Sequence, residues 1–370
     1  MYRDLSVGVI IPAYNEEGFV GDVIREMPTF VDRMYVVDDQ STDGTLDELI
    51  DAAEDDRDAT ERDRRPTAAG HNVPSSTADG WNDRDGLDQV LTDGGASALA
   101  NRALVHDPIG RVVPIRHREN RGAGGAIKTG YLAALEDGID ATVTVDADGQ
   151  MDCSQMPRLL DPIADGEADY AKGNRLLSSE YRDSMPRFRL FGNAILTFLT
   201  KIASGYWKTM DPQNGYTAIS NDALEAIDAE NLYEYYGYCN DLLVKLNVHE
   251  MGVADVAMPA VYGEEESSIR YSEYVPKVST MLLRNFLWRL KTKHLVLDFH
   301  PLVLFYLVGA GLVAVGTVAV GLTMFAALAA VGTGVSGSSA LLLFVAGVAF
   351  LLFAMVFDMG QSEHLESQVR

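Results

Sequence analysis

The sequence predicts an α/β protein with a mixed, mostly parallel open sheet, followed by an interfacial helix and two transmembrane helices. Three observations predict it. Short apolar runs alternate with segments of helical spacing on either side of a non-periodic stretch within the first 150 residues, the order that builds a parallel sheet. Several of those runs end in polar or sharp-turning residues, as strands do where a ligand binds beyond their carboxyl ends. Finally, residues 301–357 contain no Asp, Glu, Lys, Arg or His.

The elements follow in order. Val7-Gly-Val-Ile-Ile ends at Pro12 and reads as a buried strand. Residues 17–27 have helical spacing. Met34-Tyr-Val-Val is the second strand, ending in Asp38-Asp39, and 45–53 is helical. Residues 51–107 are rich in Asp, Arg, Ala, Gly, Ser and Thr and lack periodicity. They are expected to form a mobile acidic surface insertion in which Trp81 and Leu87 stand isolated. Arg111-Val-Val-Pro-Ile is the third strand, 125–136 a helix, and Ala141-Thr-Val-Thr-Val the fourth strand, ending at Asp146. A helix is expected over 241–247.

The C-terminal part changes character. Residues 302–331 are apolar and exceed the roughly 20 needed to cross a bilayer. A small, polar break at 332–339 separates them from a second apolar run, 340–357. Two spans joined by a tight turn make a membrane hairpin; a buried soluble helix pair is the alternative, but such helices rarely lack a polar face. Arg284, Arg289, Lys291 and Lys293 precede the first span and the turn carries no base. Positive residues stay cytoplasmic, which places the body and the tail after Asp358 on the cytoplasmic side of the cell membrane. Residues 279–291 mix apolar and basic side chains at near-helical spacing, an interfacial helix on the headgroups or else an ordinary surface helix. The N-terminus has no basic leader before a long apolar stretch, so no secretory signal is expected. The expected units are therefore 1–272 (catalytic body), 273–298 (interfacial segment), 299–358 (hairpin) and 359–370 (short tail).

Composition narrows the function. Against 30 Lys and Arg stand 54 Asp and Glu, a net charge of −24. A body this acidic repels nucleic-acid phosphates, so no nucleic-acid partner is expected. Acidic residues in excess, with Arg over Lys, fit the surface of a halophile; an ordinary acidic protein is the plainer reading. The two cysteines, Cys153 and Cys239, have no Cys-x-x-Cys spacing, which leaves no disulfide framework or thiolate zinc site as organiser.

Three segments can carry chemistry. Asp146-Ala-Asp148 closes an apolar strand, and two carboxylates there suit a divalent cation bridged by phosphates; a solvated turn would leave the same pattern. Asp38-Asp39 ends the second strand, where a carboxylate can accept from a nucleobase N–H or ribose hydroxyls, or cap the following turn. Asn120-Arg-Gly-Ala-Gly-Gly-Ala-Ile-Lys128 is a glycine-rich helix entry that suits anions. It has neither dinucleotide-fingerprint nor P-loop spacing.

In combination, Ile11-Pro-Ala-Tyr-Asn-Glu-Glu17, Val37-Asp-Asp-Gln-Ser-Thr-Asp-Gly-Thr45, Asn120-Arg-Gly122 and Asp146-Ala-Asp-Gly-Gln150 resemble the family 2 glycosyltransferases. Their fold is GT-A, a Rossmann-like nucleotide-diphospho-sugar transferase fold. Lys172-Gly-Asn-Arg175, Asp211-Pro-Gln-Asn-Gly-Tyr216, Asn240-Asp241, Tyr262-Gly-Glu-Glu-Glu-Ser-Ser-Ile-Arg270 and the hairpin make the dolichyl-phosphate mannose or glucose synthases the most similar members. The resemblance implies that Pro12, Tyr14, Glu16 and Asp39 hold the nucleobase and ribose of a nucleotide sugar. It implies Mg²⁺ or Mn²⁺ on Asp146 and Asp148, Gln150 lining the donor site, and Arg175 and Arg270 on phosphate of donor or lipid acceptor. Where processive polymerases carry Gln-x-x-Arg-Trp, Gln213 is followed by Asn-Gly-Tyr, which argues against a polysaccharide synthase. The family's Glu-Asp base position reads Asn240-Asp241.

The expected activity is inverting hexose transfer from a GDP- or UDP-linked sugar to dolichyl or polyprenyl phosphate at the bilayer, with Asp148, Asp241, Arg175 and Arg270 in the catalytic set. Transfer to the hydroxyl of a lipid-linked oligosaccharide or glycolipid would need Asp241 as a base. A catalytically silent membrane scaffold is the reading of another class, against which the intact acidic pair and Asp39 weigh. Family and composition together suggest an archaeal glycosylation or glycolipid pathway.

Overall fold

The computed structural model describes residues 1–64, 98–177, 187–235, 237–258, 271–329 and 336–369. The strands are β1 (Val7–Ala13), β2 (Arg33–Asp38), β3 (Ala103–Val105), β4 (Val112–His117), β5 (Ala141–Thr144), β6 (Tyr170–Asn174), β7 (Thr217–Ser220), β8 (Val253–Ala257) and β9 (Glu366–Val369). They form one sheet in the order β3-β4-β2-β1-β5-β7-β6-β8-β9. β1, β2, β4 and β5 run parallel, and so do β6, β8 and β9. β7 is antiparallel to both β5 and β6. Two reversals restore direction, so β6 ends at the same sheet edge as β1, β2 and β5.

Helices cover both faces, and the alternation of β1 shows why its run is continuously apolar. Val9 and Ile11 join one core with Val23, Ile24, Leu49 and Leu159, from α1 (Val20–Arg25), α2 (Thr45–Arg64) and α4 (Met156–Ala164). Ile10 faces the other core with Ile127, Tyr131 and Leu243, from α3 (Ala123–Glu136) and α7 (Tyr238–Val248). Among the described residues, the body's other α-helices are α5 (Arg187–Ser204) and α6 (Asn221–Ala226).

The acidic segment is smaller than composition suggests. α2 continues to Arg64, and residues 98–107 supply a turn and β3, the antiparallel edge on β4. Apolar anchors explain this: Ala52, Ala53, Leu99 and Ala103 are all buried. Residues 65–97, with Trp81 and Leu87, lie outside the described residues.

After the sheet come α8 (Tyr271–Lys291), a single π-helical turn, Thr292–Leu297, and then α9 (Leu302–Leu328) and α10 (Gly337–Ser362). Both α9 and α10 are long and apolar enough to cross a membrane. They pack backbone to backbone through glycine: a Cβ on Gly316 would lie 2.6 Å from the Phe344 nitrogen, and one on Gly347 2.6 Å from the Val313 nitrogen. α8 buries Val278, Met281 and Leu282 against Ala203 and Val244 while exposing Leu283, Leu287 and Trp288.

Two of the four bases preceding the span do not face headgroups. Arg289 is buried against Asp358, and the buried Lys293 ammonium donates to the Asn247 carbonyl at 2.8 Å. Nor is the C-terminus a loose tail. Asn247 donates to the Ser362 hydroxyl at 2.9 Å, and β9 pairs with β8 in register Asp255 to Gln368. The body and both ends of the hairpin are joined as one unit.

Candidate active site

The strand ends gather at one edge. Asp39 lies just past β2, and its backbone N–H donates to the Ala13 carbonyl at the end of β1. Its buried carboxylate is fully engaged. One oxygen lies 2.6 Å from His117 Nδ1 and accepts from the Arg121 N–H at 2.8 Å; the other accepts from the Gly122 N–H at 2.7 Å. The Asn120 amide donates to the Asp39 carbonyl. Asp39 therefore ties the end of β2 to the glycine-rich entry of α3. Asp38 accepts from the Ser41 N–H and pairs with Arg116 at 3.3 Å, closing the turn before α2.

Glu234 locks the same entry from above. Its carboxylate accepts from Arg102 at 2.7 Å, Lys128 at 2.9 Å and Arg121 at 3.3 Å. Burial pushes its pKa up, but the hydrogen bonds from Arg102 and Lys128 outweigh this and bring it down to about 2. The backbone is equally close: a Cβ on Gly124 would lie 2.7 Å from the Glu234 carbonyl oxygen. Only glycine fits there, which accounts for Gly124. Neither Glu234 nor His117 belongs to a recognisable motif, so no sequence signal marked them.

Pro12, near the end of β1, is half-buried, and Tyr14, just past the strand, is 49% exposed. Asn15, at φ 57°, accepts from the Thr42 N–H, and the Glu16 N–H donates to the Thr45 hydroxyl. This cross-linking holds the β1 and β2 end loops side by side, with Tyr14 exposed beside them.

Asp146 and Asp148 follow β5, both partly exposed. An Asp148 oxygen accepts from the Gln150 N–H at 2.9 Å, a turn that carries Gln150 beside the pair. The 211–216 loop, which leads into β7, crosses here. A Cβ on Gly215 would lie 3.2 Å from an Asp146 oxygen. Among the described residues no group of three His, Cys, Asp or Glu side chains could hold a metal ion alone. Two part-exposed carboxylates fit instead the Mg²⁺ pattern of one or two carboxylates completed by substrate phosphates.

At the end of β6, Arg175 meets Asp211 side-on, Nε at 2.7 Å and Nη2 at 2.9 Å. Burial would raise the Asp211 pKa, but Arg175 overrides it and lowers it. Lys172 pairs with Asp255 at 3.0 Å and donates to the Met210 carbonyl. Asn174 and the Met210 N–H also bond Asp255, at 2.6 and 2.7 Å. Both sequence motifs, 172–175 and 211–216, are thus one hydrogen-bonded cluster beside the Asp146 strand end.

Asp241 sits in the first turn of α7 and is buried. It accepts from the Tyr233 N–H at 3.0 Å and the Asn285 amide at 2.7 Å, and pairs with Lys245 at 3.4 Å. It fastens α7 to α8 and to the residue preceding Glu234. Arg270 lies outside the described residues.

Residues 8–65 and 92–228 match the family described as glycosyl transferase family 2; the match omits 66–91, within the expected insertion. The chain is 26% identical over 262 residues to the UDP-N-acetylglucosamine–dolichyl-phosphate N-acetylglucosaminyltransferase of Methanococcus voltae, covering 70% of this chain and 88% of that protein. It is 30% identical to the polyprenol monophosphomannose synthase of Mycolicibacterium smegmatis, covering 49% and 68%. Identity is also 30% to the undecaprenyl-phosphate mannosyltransferase of Micrococcus luteus, covering 49% and 71%. Among solved structures, glucosyl-3-phosphoglycerate synthase from Mycobacterium tuberculosis, with Mn²⁺, UDP and its product, superposes with a TM-score of 0.47 at 17% identity, covering 77% of this chain and 80% of that one.

Proposed function

The chain belongs to glycosyl transferase family 2 and is a glycosyltransferase of GT-A fold; from that premise we propose that it moves a sugar from a nucleotide sugar onto dolichyl or polyprenyl phosphate at the cytoplasmic face of the cell membrane. The observation that carries this reading is the union of membrane hairpin and catalytic sheet, whose ninth strand follows the second span directly. It favours an acceptor at headgroup height. With both ends of the hairpin on the body, body and tail share one side of the bilayer, in keeping with the basic residues before the first span.

The donor would lie across the strand ends. Tyr14, with Pro12 and Glu16, would take the nucleobase and ribose, while Asp39 shapes the α3 entry beside them. Asp146 and Asp148 would hold Mg²⁺ or Mn²⁺ with the diphosphate, with Gln150 alongside. Such a cation would neutralise charge on the departing diphosphate. Arg175, pre-oriented by Asp211, would hold a phosphate. An acceptor phosphate oxygen attacks the anomeric carbon as the bond to the nucleoside diphosphate breaks, inverting an α-linked donor to a β-linked product. The acceptor is already an anion at neutral pH, so it needs placement rather than deprotonation. The commitment of Asp241 to structural partners favours this acceptor over a hydroxyl, which would need a base. The relatives support N-acetylglucosamine and mannose as the sugars to try first.

The test uses the full chain in detergent with dolichyl phosphate, Mg²⁺ or Mn²⁺ and high salt. UDP-N-acetylglucosamine, GDP-mannose and UDP-glucose, each radiolabelled, are offered separately. Metal-dependent label in the organic phase from one donor, lost in Asp148→Ala, is the expected result. Transfer only to a glycolipid hydroxyl, abolished in Asp241→Asn, would replace this reading.

A further inference from the structure

Glu366 opens β9, and its buried carboxylate turns away from the strand ladder toward the 207–209 backbone. It accepts from the N–H groups of Trp207 at 2.9 Å, Lys208 at 2.6 Å and Thr209 at 2.9 Å. Three consecutive backbone donors on one carboxylate fix a segment that belongs to no helix or strand. The next two residues reach the candidate site. Met210 is held by its N–H on Asp255 and its carbonyl on Lys172. Asp211 follows at φ 49°, a conformation disfavoured for most side chains, and grips Arg175. Asp255 also lies on β8, opposite Gln368 of β9. The C-terminal strand therefore holds the 207–209 backbone through the Glu366 side chain while its own backbone pairs along β8, the strand that carries the second anchor, Asp255.

We propose that Glu366 is a positioning residue: it sets the 207–211 backbone and thereby aims the Arg175 guanidinium at a substrate phosphate. This deepens the reading above and rests on it for the identity of the phosphate. It also gives the residues after the hairpin a part in the reaction. Gln at 366 keeps the volume but presents an amide N–H₂ to backbone donors; Asp keeps the charge one methylene short.

The experiment compares full-length wild type, Glu366→Gln, Glu366→Asp, Arg175→Ala and the Glu366→Gln/Arg175→Ala double variant in detergent. The first readout needs no activity: the rate at which phenylglyoxal modifies Arg175, followed by peptide mass spectrometry with Arg116 as internal reference. The second is the KM and kcat of sugar transfer to dolichyl phosphate. Expected are severalfold faster modification of Arg175 in Glu366→Gln, partial recovery in Glu366→Asp, and an unchanged Arg116 rate. The phosphate-substrate KM that Arg175→Ala raises rises in Glu366→Gln as well, and the double variant loses nothing beyond Arg175→Ala. An unchanged Arg175 rate in a variant that keeps its cooperative melt overturns the proposal, and so do losses that simply multiply in the double variant. If wild type transfers no sugar while Arg175 responds to Glu366, positioning stands and the lipid-phosphate reading falls.

Discussion

Arg289 and Asp358 meet end-on, through Nη1 and Nη2, 69 residues apart in sequence, with both nitrogen–oxygen distances 2.8 Å and neither side chain exposed. Arg289 also donates to the carbonyls of Ala203 and Ile202. A buried pair is stable only when such extra bonds satisfy it, and removing one partner strands the other charge at a cost of about 3–5 kcal/mol. Asp358→Ala should therefore lower the melting temperature in detergent markedly. Arg289→Met combined with Asp358→Leu should recover most of the loss, since both charges then leave together. A single variant that melts with wild type would show the pair to be dispensable.

Replacing Asp146 or Asp148 by Ala should reduce transfer about 10²–10³-fold, the weight of several kcal/mol of lost charge stabilisation. Chelation of divalent cations should do the same to wild type, reversibly. Melting curves should barely move, because both carboxylates are partly exposed. Full activity after exhaustive chelation would remove the cation from the reaction.

The Glu234 cluster sets an acid limit. Its pKa falls from an ordinary 4.5 to about 2, so its stabilising contribution is complete above about 4.5 and is lost as pH drops toward 2. Asp211, also lowered, acts in the same sense. Glu234→Gln should be less stable than wild type at neutral pH, and the difference between the two melting temperatures should shrink below pH 4.5. A constant difference down to pH 2 would contradict the assignment.

Gly347→Val should loosen the hairpin. The added Cβ would meet the Val313 nitrogen at 2.6 Å and the Gly309 oxygen at 2.9 Å, and overpacking of this kind costs about 1–3 kcal/mol. Gly321, with nothing within 4 Å of an added Cβ, is the control: Gly321→Val should leave thermal unfolding in nanodiscs unchanged.

Much of this was legible in the residues. The first four predicted strands match β1, β2, β4 and β5 within one or two residues, because each is a continuous apolar run bounded by turn residues. β6 and β8 were not, since Lys172 and Asp255 interrupt them with charges that neutralise each other only in the fold. The placement of the acidic pair just after β5 could be read because it depends on local spacing alone. The Asp39–His117 contact and the grip of Glu234 on Arg102 could not, since each joins residues far apart in sequence. Arg289 misled for a related reason: beside a span, a base reads as a headgroup contact unless its distant carboxylate is known.

The ninth strand also imposes an order on synthesis. β8 gains its outer neighbour only from residues translated after both α9 and α10. Until the ribosome has delivered the whole hairpin, the edge of β8 presents an unpaired ladder, the kind of surface that recruits stray strands. On the membrane reading proposed above, completion of the sheet therefore waits on the synthesis of both apolar helices. A nascent chain stalled in the second span would carry its body tethered to the bilayer with that edge open, an aggregation-prone and protease-accessible species.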